Sequence, residues 1–320
     1  MKFRQLFLLI AFVASLVPTA VLATSSSAMQ VQATSEGSVQ RDGFALHYRT
    51  VGTGIPLLLL GGGPGTEVAY VAGIAQELGS SYKCILLEQR GTGRSQPPNP
   101  TSDQMTLKLF VEDIEALRAS LNIDRLMILG HSWGGMLAMA YAVAYPNRVD
   151  SLVLVDSGGM DLSFGAIFRD NIAARASMSE RQELEKADAA IERASNTKAL
   201  NAARISYSRL RTPFYFYDRK LADKIVALLP GDSNQQRVFL LMQTDLTNHY
   251  DVRSGMKSLS RPVLIIQGRQ DPMPETVAIE IHEAVANSQL VFIDQCGHFP
   301  WIEQPTSFYR AVRGFLERQH

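Results

Sequence analysis

Serine, aspartate and histidine occur along this chain in settings that together could perform acyl transfer. Ser132 lies in Gly130-His131-Ser132-Trp133-Gly134, between the apolar run 125–129 and the small-residue stretch 136–145. A serine between glycines where a strand turns into a helix is the nucleophile-elbow pattern, G-x-S-x-G. Side chains at Gly130 and Gly134 would strike neighbouring backbone in so tight a turn, and the strain holds the hydroxyl out at the strand end. A serine hydroxyl is a weak nucleophile near neutral pH. It needs a base to take its proton and an acid to orient that base. Asp271 follows the apolar run 262–267, and His298 follows the next run, 290–293. That is the chain order an elbow predicts. Of six histidines, His298 alone has a glycine-flanked, strand-end setting; His47 falls in a hairpin and His131 within the elbow itself.

The tetrahedral intermediate of acyl transfer needs backbone donors aimed at its oxyanion. Trp133, the residue after the nucleophile, supplies one amide. The second is expected from Gly61-Gly62-Gly63-Pro64-Gly65 after the apolar run 56–60, with Gly63 favoured and Gly62 next. The same glycines lack the G-x-x-x-x-G-K-[ST] pattern of a phosphate loop.

Catalytic residues so far apart in sequence require a scaffold that gathers strand ends. Segments 38–40 and 44–50 around Asp42-Gly43 read as a hairpin. Strands at 56–60, 82–87, 125–129 and 149–155 then alternate with helices at 66–78, 106–121 and 136–145. Such alternation implies an α/β protein, a mostly parallel sheet with helices on both faces. The rhythm breaks at 161–258, which reads as a helical cap inserted between core segments 38–160 and 259–320. In the cap, Phe214-Tyr215-Phe216-Tyr217 could line a substrate pocket. Glu180, Glu183, Glu185 and Glu192 read as the solvated face of a charge-rich helix.

Lysine plus arginine and aspartate plus glutamate each number 31, which argues against a nucleic-acid partner. Lys2 and Arg4 ahead of an apolar stretch, with Val21-Leu22-Ala23 as a cleavage site, form a signal-peptide pattern. Residues 1–23 are read as the signal peptide and 24–37 as a flexible leader. The mature protein is then exported and carries no stable membrane anchor, the less favoured alternative being an uncleaved one. Cys84 and Cys296 are expected as two buried thiols rather than a disulfide. No cofactor or metal is expected, since no H-E-x-x-H or similar ligand cluster is present.

The blocks Gly62-Gly63-Pro64-Gly65, Gln89-Arg90-Gly91-Thr92-Gly93-Arg94-Ser95, Gly130-His131-Ser132-Trp133-Gly134 and Cys296-Gly297-His298 carry a family likeness. The chain resembles the α/β-hydrolase fold and, within it, is most similar to the prolyl iminopeptidases. The likeness implies a Ser132–His298–Asp271 triad and an aminopeptidase acting on a short peptide. Three positions depart from the family: Gly61 stands where its glycine loop begins with histidine, and Glu88 stands where aspartate is usual. The acidic residues that would hold a substrate amine have no clear counterpart here, and Pro272 after Asp271 offers none. A carboxylesterase or lactonase acting on small apolar esters is the alternative, and a non-catalytic binding protein of the same fold the remote one. Gln89–Ser95 is expected to be structural, with Arg90 pairing inside that loop.

Overall fold

The computed structural model describes residues 34–228 and 234–319, so the signal-peptide reading and most of the leader lie outside it. The eight strands are β1 (Thr34–Arg41), β2 (Phe44–Val51), β3 (Ile55–Leu60), β4 (Tyr82–Leu87), β5 (Leu126–His131), β6 (Val149–Val155), β7 (Val263–Gly268) and β8 (Ser288–Ile293). They form one sheet in the order β1-β2-β4-β3-β5-β6-β7-β8. The first two pairings, β1 with β2 and β2 with β4, are antiparallel, and every later one is parallel. Strands β5 and β7 are buried along their whole length because helices cover both faces of the sheet. Residues 34–37, read from composition as leader, belong instead to β1, with Thr34 opposite Val51. Polar side chains did not prevent this, since an edge strand pairs through its backbone and leaves one side to water.

The helices of the first core segment are α1 (Ala72–Leu78), α2 (Leu107–Ser120) and α3 (Trp133–Ala144). A 3-10 turn, Val68–Val71, replaces the first part of the helix expected at 66–78. The insertion contributes α4 (Gly165–Ala174), α5 (Met178–Glu192), α6 (Thr197–Arg211), α7 (Ala222–Val226) and α8 (Asn234–His249). Then come α9 (Arg253–Lys257), α10 (Glu275–Ala284), α11 (Pro300–Glu303) and α12 (Pro305–Leu316). The last of these shows why sequence spacing and packing agree. Phe308, Val312, Phe315 and Leu316 share one helical face and are all buried, each contributing roughly 1.5–3 kcal/mol by leaving water. α5 begins with a capping box in which Ser177 and Glu180 satisfy each other's end amides.

The insertion leaves and rejoins the core through a closed stem. Tyr250 Oη donates to Gly159 O at 2.8 Å and Val252 N–H to Met160 O at 2.9 Å. Arg253 pairs with Asp161 at 3.0 Å. Beyond it α9 packs on the core, with Met256 fully buried and Gly255 against Val143 of α3. α9, within the 161–258 segment, thus lies beyond this stem. No strand occurs in that segment among the described residues. Cys84 and Cys296 are free and buried. Among the described residues no helix is long and apolar enough to cross a membrane.

Candidate active site

β5 passes into α3 through Ser132, whose backbone sits at φ 56°, ψ −120°. Its N–H donates to Val155 O at 3.0 Å, and its carbonyl accepts from Gly135 N–H at 3.0 Å. The glycines are required by close approach. A Cβ on Gly130 would lie 2.3 Å from Gly134 O, and one on Gly134 would lie 2.2 Å from Leu60 O. His131 and Trp133 are buried, while Ser132 between them is half-buried.

Asp271 follows β7 and His298 follows β8, as their spacing predicted. Asp271 Oδ2 and His298 Nδ1 are 2.7 Å apart, with both side chains buried. Asp271 Oδ1 accepts Met273 N–H at 2.8 Å, so the acid also fixes its own turn. With Nδ1–H given to the carboxylate, Nε2 is the nitrogen of His298 that can take a proton. Burial pushes His298 down to about 4, against Asp156 and Glu303, so the ring is neutral near pH 7.

A hydrogen-bond chain that the sequence did not reveal ties the glycine loop, elbow and histidine loop together. Gly62 N–H donates to Tyr70 Oη. Tyr70 Oη lies 2.7 Å from His131 Nδ1, and His131 Nε2 lies 2.8 Å from His298 O. The directions follow from the ends. A carbonyl accepts, so His131 carries its proton on Nε2, and Tyr70 donates to Nδ1 while accepting from Gly62. Burial pushes His131 well down, in keeping with a neutral ring. Gln89 braces the same region, donating to Gly61 O at 2.9 Å and accepting from Trp133 Nε1 at 3.0 Å.

That chain separates the two glycines expected to hold an oxyanion. The Gly62 amide is spent on Tyr70, so Gly62 is withdrawn as a donor. Gly63 has φ 125°, and a Cβ there would lie 2.8 Å from the nitrogens of Gly65 and Thr66. The Trp133 amide opens α3, among the N-terminal amides that a helix leaves without an internal partner.

The four cap aromatics separate in the same way. Phe214 packs with Ile172 and Ala176, and Phe216 stacks on Phe299 at 4.8 Å, both buried in apolar clusters. Tyr217 is half in solvent. Only Tyr215 meets the triad region, its ring 5.3 Å from that of His298 and its carbonyl accepting His298 N–H at 2.7 Å. Glu303 holds the junction from below, accepting Gly297 N–H at 2.8 Å and Tyr217 N–H at 2.7 Å. Arg90 pairs outside its own loop, with both oxygens of Asp113 on α2 and with Asp42 of the hairpin.

Tyr70, Asp156 and Glu303 were missed by motif reading, and Gln89 was placed only as part of a structural loop. Tyr70 sits in a stretch with no signature. Asp156 had a usable signal, since it directly follows an apolar strand. Among the described residues no cluster of ligating side chains could hold a metal ion.

The chain is 24% identical over 283 residues to a proline iminopeptidase of Saccharolobus solfataricus, covering 85% of this chain and 87% of that one. A shorter match, 34% over 125 residues and 39% of each chain, is to a cis-3-alkyl-4-alkyloxetan-2-one decarboxylase of Shewanella oneidensis. Among solved structures, an alpha/beta fold family hydrolase from Bacillus anthracis str. Sterne superposes with TM-score 0.71 at 21% identity, covering 88% of this chain and 99% of that one. A family model described as the alpha/beta hydrolase fold matches residues 55–305. That span runs from the start of β3 to the start of α12 and takes in all the parallel strands, and this chain belongs to the α/β-hydrolase fold family.

Proposed function

We propose that the protein is a serine hydrolase working through an acyl-enzyme, with Ser132 as nucleophile, His298 as base and then acid, and Asp271 as the acid that orients it. In this reading Ser132 Oγ attacks an acyl carbonyl while His298 Nε2 takes its proton. The amides of Gly63 and Trp133 hold the oxyanion, and His298 then protonates the leaving group. Water repeats the sequence to release the acyl group. The observation that supports this most directly is the buried 2.7 Å contact between Asp271 and His298, with the ring of His131, the elbow neighbour of Ser132, 4.6 Å from that of His298.

The charge around His298 favours an ester or lactone as the substrate. The cap charges that bear on His298 are those of Arg175 and Arg211, both positive, while the carboxylates, Asp156 and Glu303, lie outside the cap. Arg211 lies 5.3 Å above the Tyr215 ring. On α5, Glu183, Glu185 and Glu192 are exposed, and Glu180 pairs with Arg219. Among the described residues, the cap charges bearing on His298 are thus positive, which disfavours a substrate ammonium beside it. The end-to-end likeness to a proline iminopeptidase supports aminopeptidase action as the second reading.

Turnover of a short-chain nitrophenyl ester and of a proline arylamide, with Ser132→Ala as the blank, decides between them. The expected result is a higher kcat/KM on the ester and a loss on the order of 10⁶ in kcat for Ser132→Ala. Preference for the arylamide would restore the aminopeptidase reading. Equal fluorophosphonate labelling of wild type and Ser132→Ala would remove Ser132 as nucleophile.

A further inference from the structure

Asp156 directly follows β6 much as Asp271 follows β7, yet the acyl-transfer steps above make no use of it. It is fully buried, with φ 44° in the left-handed region. Its Oδ1 accepts Gly268 N–H at 2.8 Å, and its own N–H donates to Ile266 O at 2.8 Å. Its Oδ2 is buried and meets no donor. The group beside it is the Asp271 carboxyl, within side-chain hydrogen-bonding reach. Two carboxylates in contact offer only acceptors, and in a buried site both cannot hold their charge. A single proton resolves the orphaned oxygen and the repulsion together.

We propose that Asp156 is a positioning residue held as the neutral acid, donating its proton to Asp271 and so keeping Asp271 the charged acceptor for His298 Nδ1–H. This rests on the triad reading above. The pair then carries one negative charge, which a single imidazolium formed at His298 neutralises. Burial and the neighbouring Asp271 push Asp156 well up; burial also raises Asp271, to about 7, and the Asp156 hydrogen bond is the first of the contacts that pull it back down. The other charged or titratable groups facing the pair are His298 and Cys296 after β8, Glu303 on α11, Arg175 after α4, and Tyr215. Of these, His298 is the one that draws Asp156 back toward ionisation.

The test is the pH dependence of fluorophosphonate labelling at Ser132, which needs no knowledge of the substrate. Asp156→Asn keeps an N–H donor and tolerates a left-handed backbone. It should label within about tenfold of wild type, against a fall on the order of 10⁴ for Asp271→Asn. Asp156→Ala removes the donor, so Asp271 protonates more readily and the acid limb of the profile moves up by about one unit. Were Asp156 ionised, the same change would remove a negative charge and move that limb down. A limb that moves down, or stays put, overturns the proposal, as does an Asp156→Asn variant as slow as Asp271→Asn.

If Asp156→Ala does not fold, melting curves of Asp156→Asn and wild type decide. A carboxyl whose folded value is raised supplies stability below its unfolded value, and that stability is lost as pH rises. The Asn variant lacks this loss, so its Tm advantage over wild type should widen between about pH 5 and about pH 8. A gap that does not widen overturns the proposal. Undiminished labelling of Asp271→Asn would instead unseat the triad reading itself.

Discussion

At Ser132 the backbone and the chemistry make opposite demands. The left-handed φ of 56° costs a side-chain-bearing residue about 1–3 kcal/mol, and glycine alone would adopt it freely. Ser132→Gly is therefore expected to be more stable than Ser132→Ala, by about 1 kcal/mol in denaturant unfolding, with both inactive. Tyr70 presents a different kind of dependence. Its hydroxyl both accepts from Gly62 and donates to His131, so Tyr70→Phe leaves two buried partners unsatisfied at about 1–3 kcal/mol each. Its kcat should fall with KM little changed, because the loss misplaces the glycine loop rather than a binding surface. The positions of Ser132, Asp271 and His298 at strand ends were legible in the sequence because each carries a local signature of glycines and a strand end. Tyr70 was not, and Gln89 was legible only as part of a structural loop, since their partners are set only once three loops from distant parts of the chain meet.

At the level of elements, the hairpin, α2 and the 89–95 loop are held together by one buried cluster. Arg90 is 1% exposed, donates to both oxygens of Asp113 and lies 4.8 Å over the Phe44 ring. Removing one member of such a pair leaves the other buried without its partner, which typically costs 3–5 kcal/mol. Arg41 also contacts Asp113, at 2.9 Å, and keeps part of the charge satisfied. Arg90→Met should thus lower the urea midpoint by the equivalent of about 3 kcal/mol, with an unchanged slope. The parallel strands were readable because burial on both faces makes them unbroken apolar runs. Strand β1 was not, because an edge strand needs only backbone partners, and its Ser, Glu and Gly residues look like linker. In the cap, aromatic clustering located a buried segment but did not say which rings face the cleft. Alternate residues of Phe214–Tyr217 point into packing, and only the fold shows which.

For the molecule as a whole, core and cap are joined at several places, α2 to α8 through Leu107 and Asp245 among them, and two of these frame the candidate site. The stem closes through Gly159, Met160 and Asp161 against Tyr250, Val252 and Arg253. The second junction joins the cap segment at Tyr215 to His298 and, through Glu303, to Gly297. The export reading belongs to this scale too. Expression in a host with a secretory pathway should yield a product beginning at Thr24, measured by intact mass; a product retaining Met1 would reverse it.

The Tyr215 carbonyl accepts the amide of His298, so the cap and the histidine proposed as base share one piece of backbone. For an engineer, selectivity and speed are therefore not independent dials. Grafting in a foreign cap wholesale would replace the very carbonyl that seats His298. A library confined to α5 and α6, leaving α4 and the strip from Phe214 to Asp218 untouched, would let substrate range drift while the histidine keeps its seat.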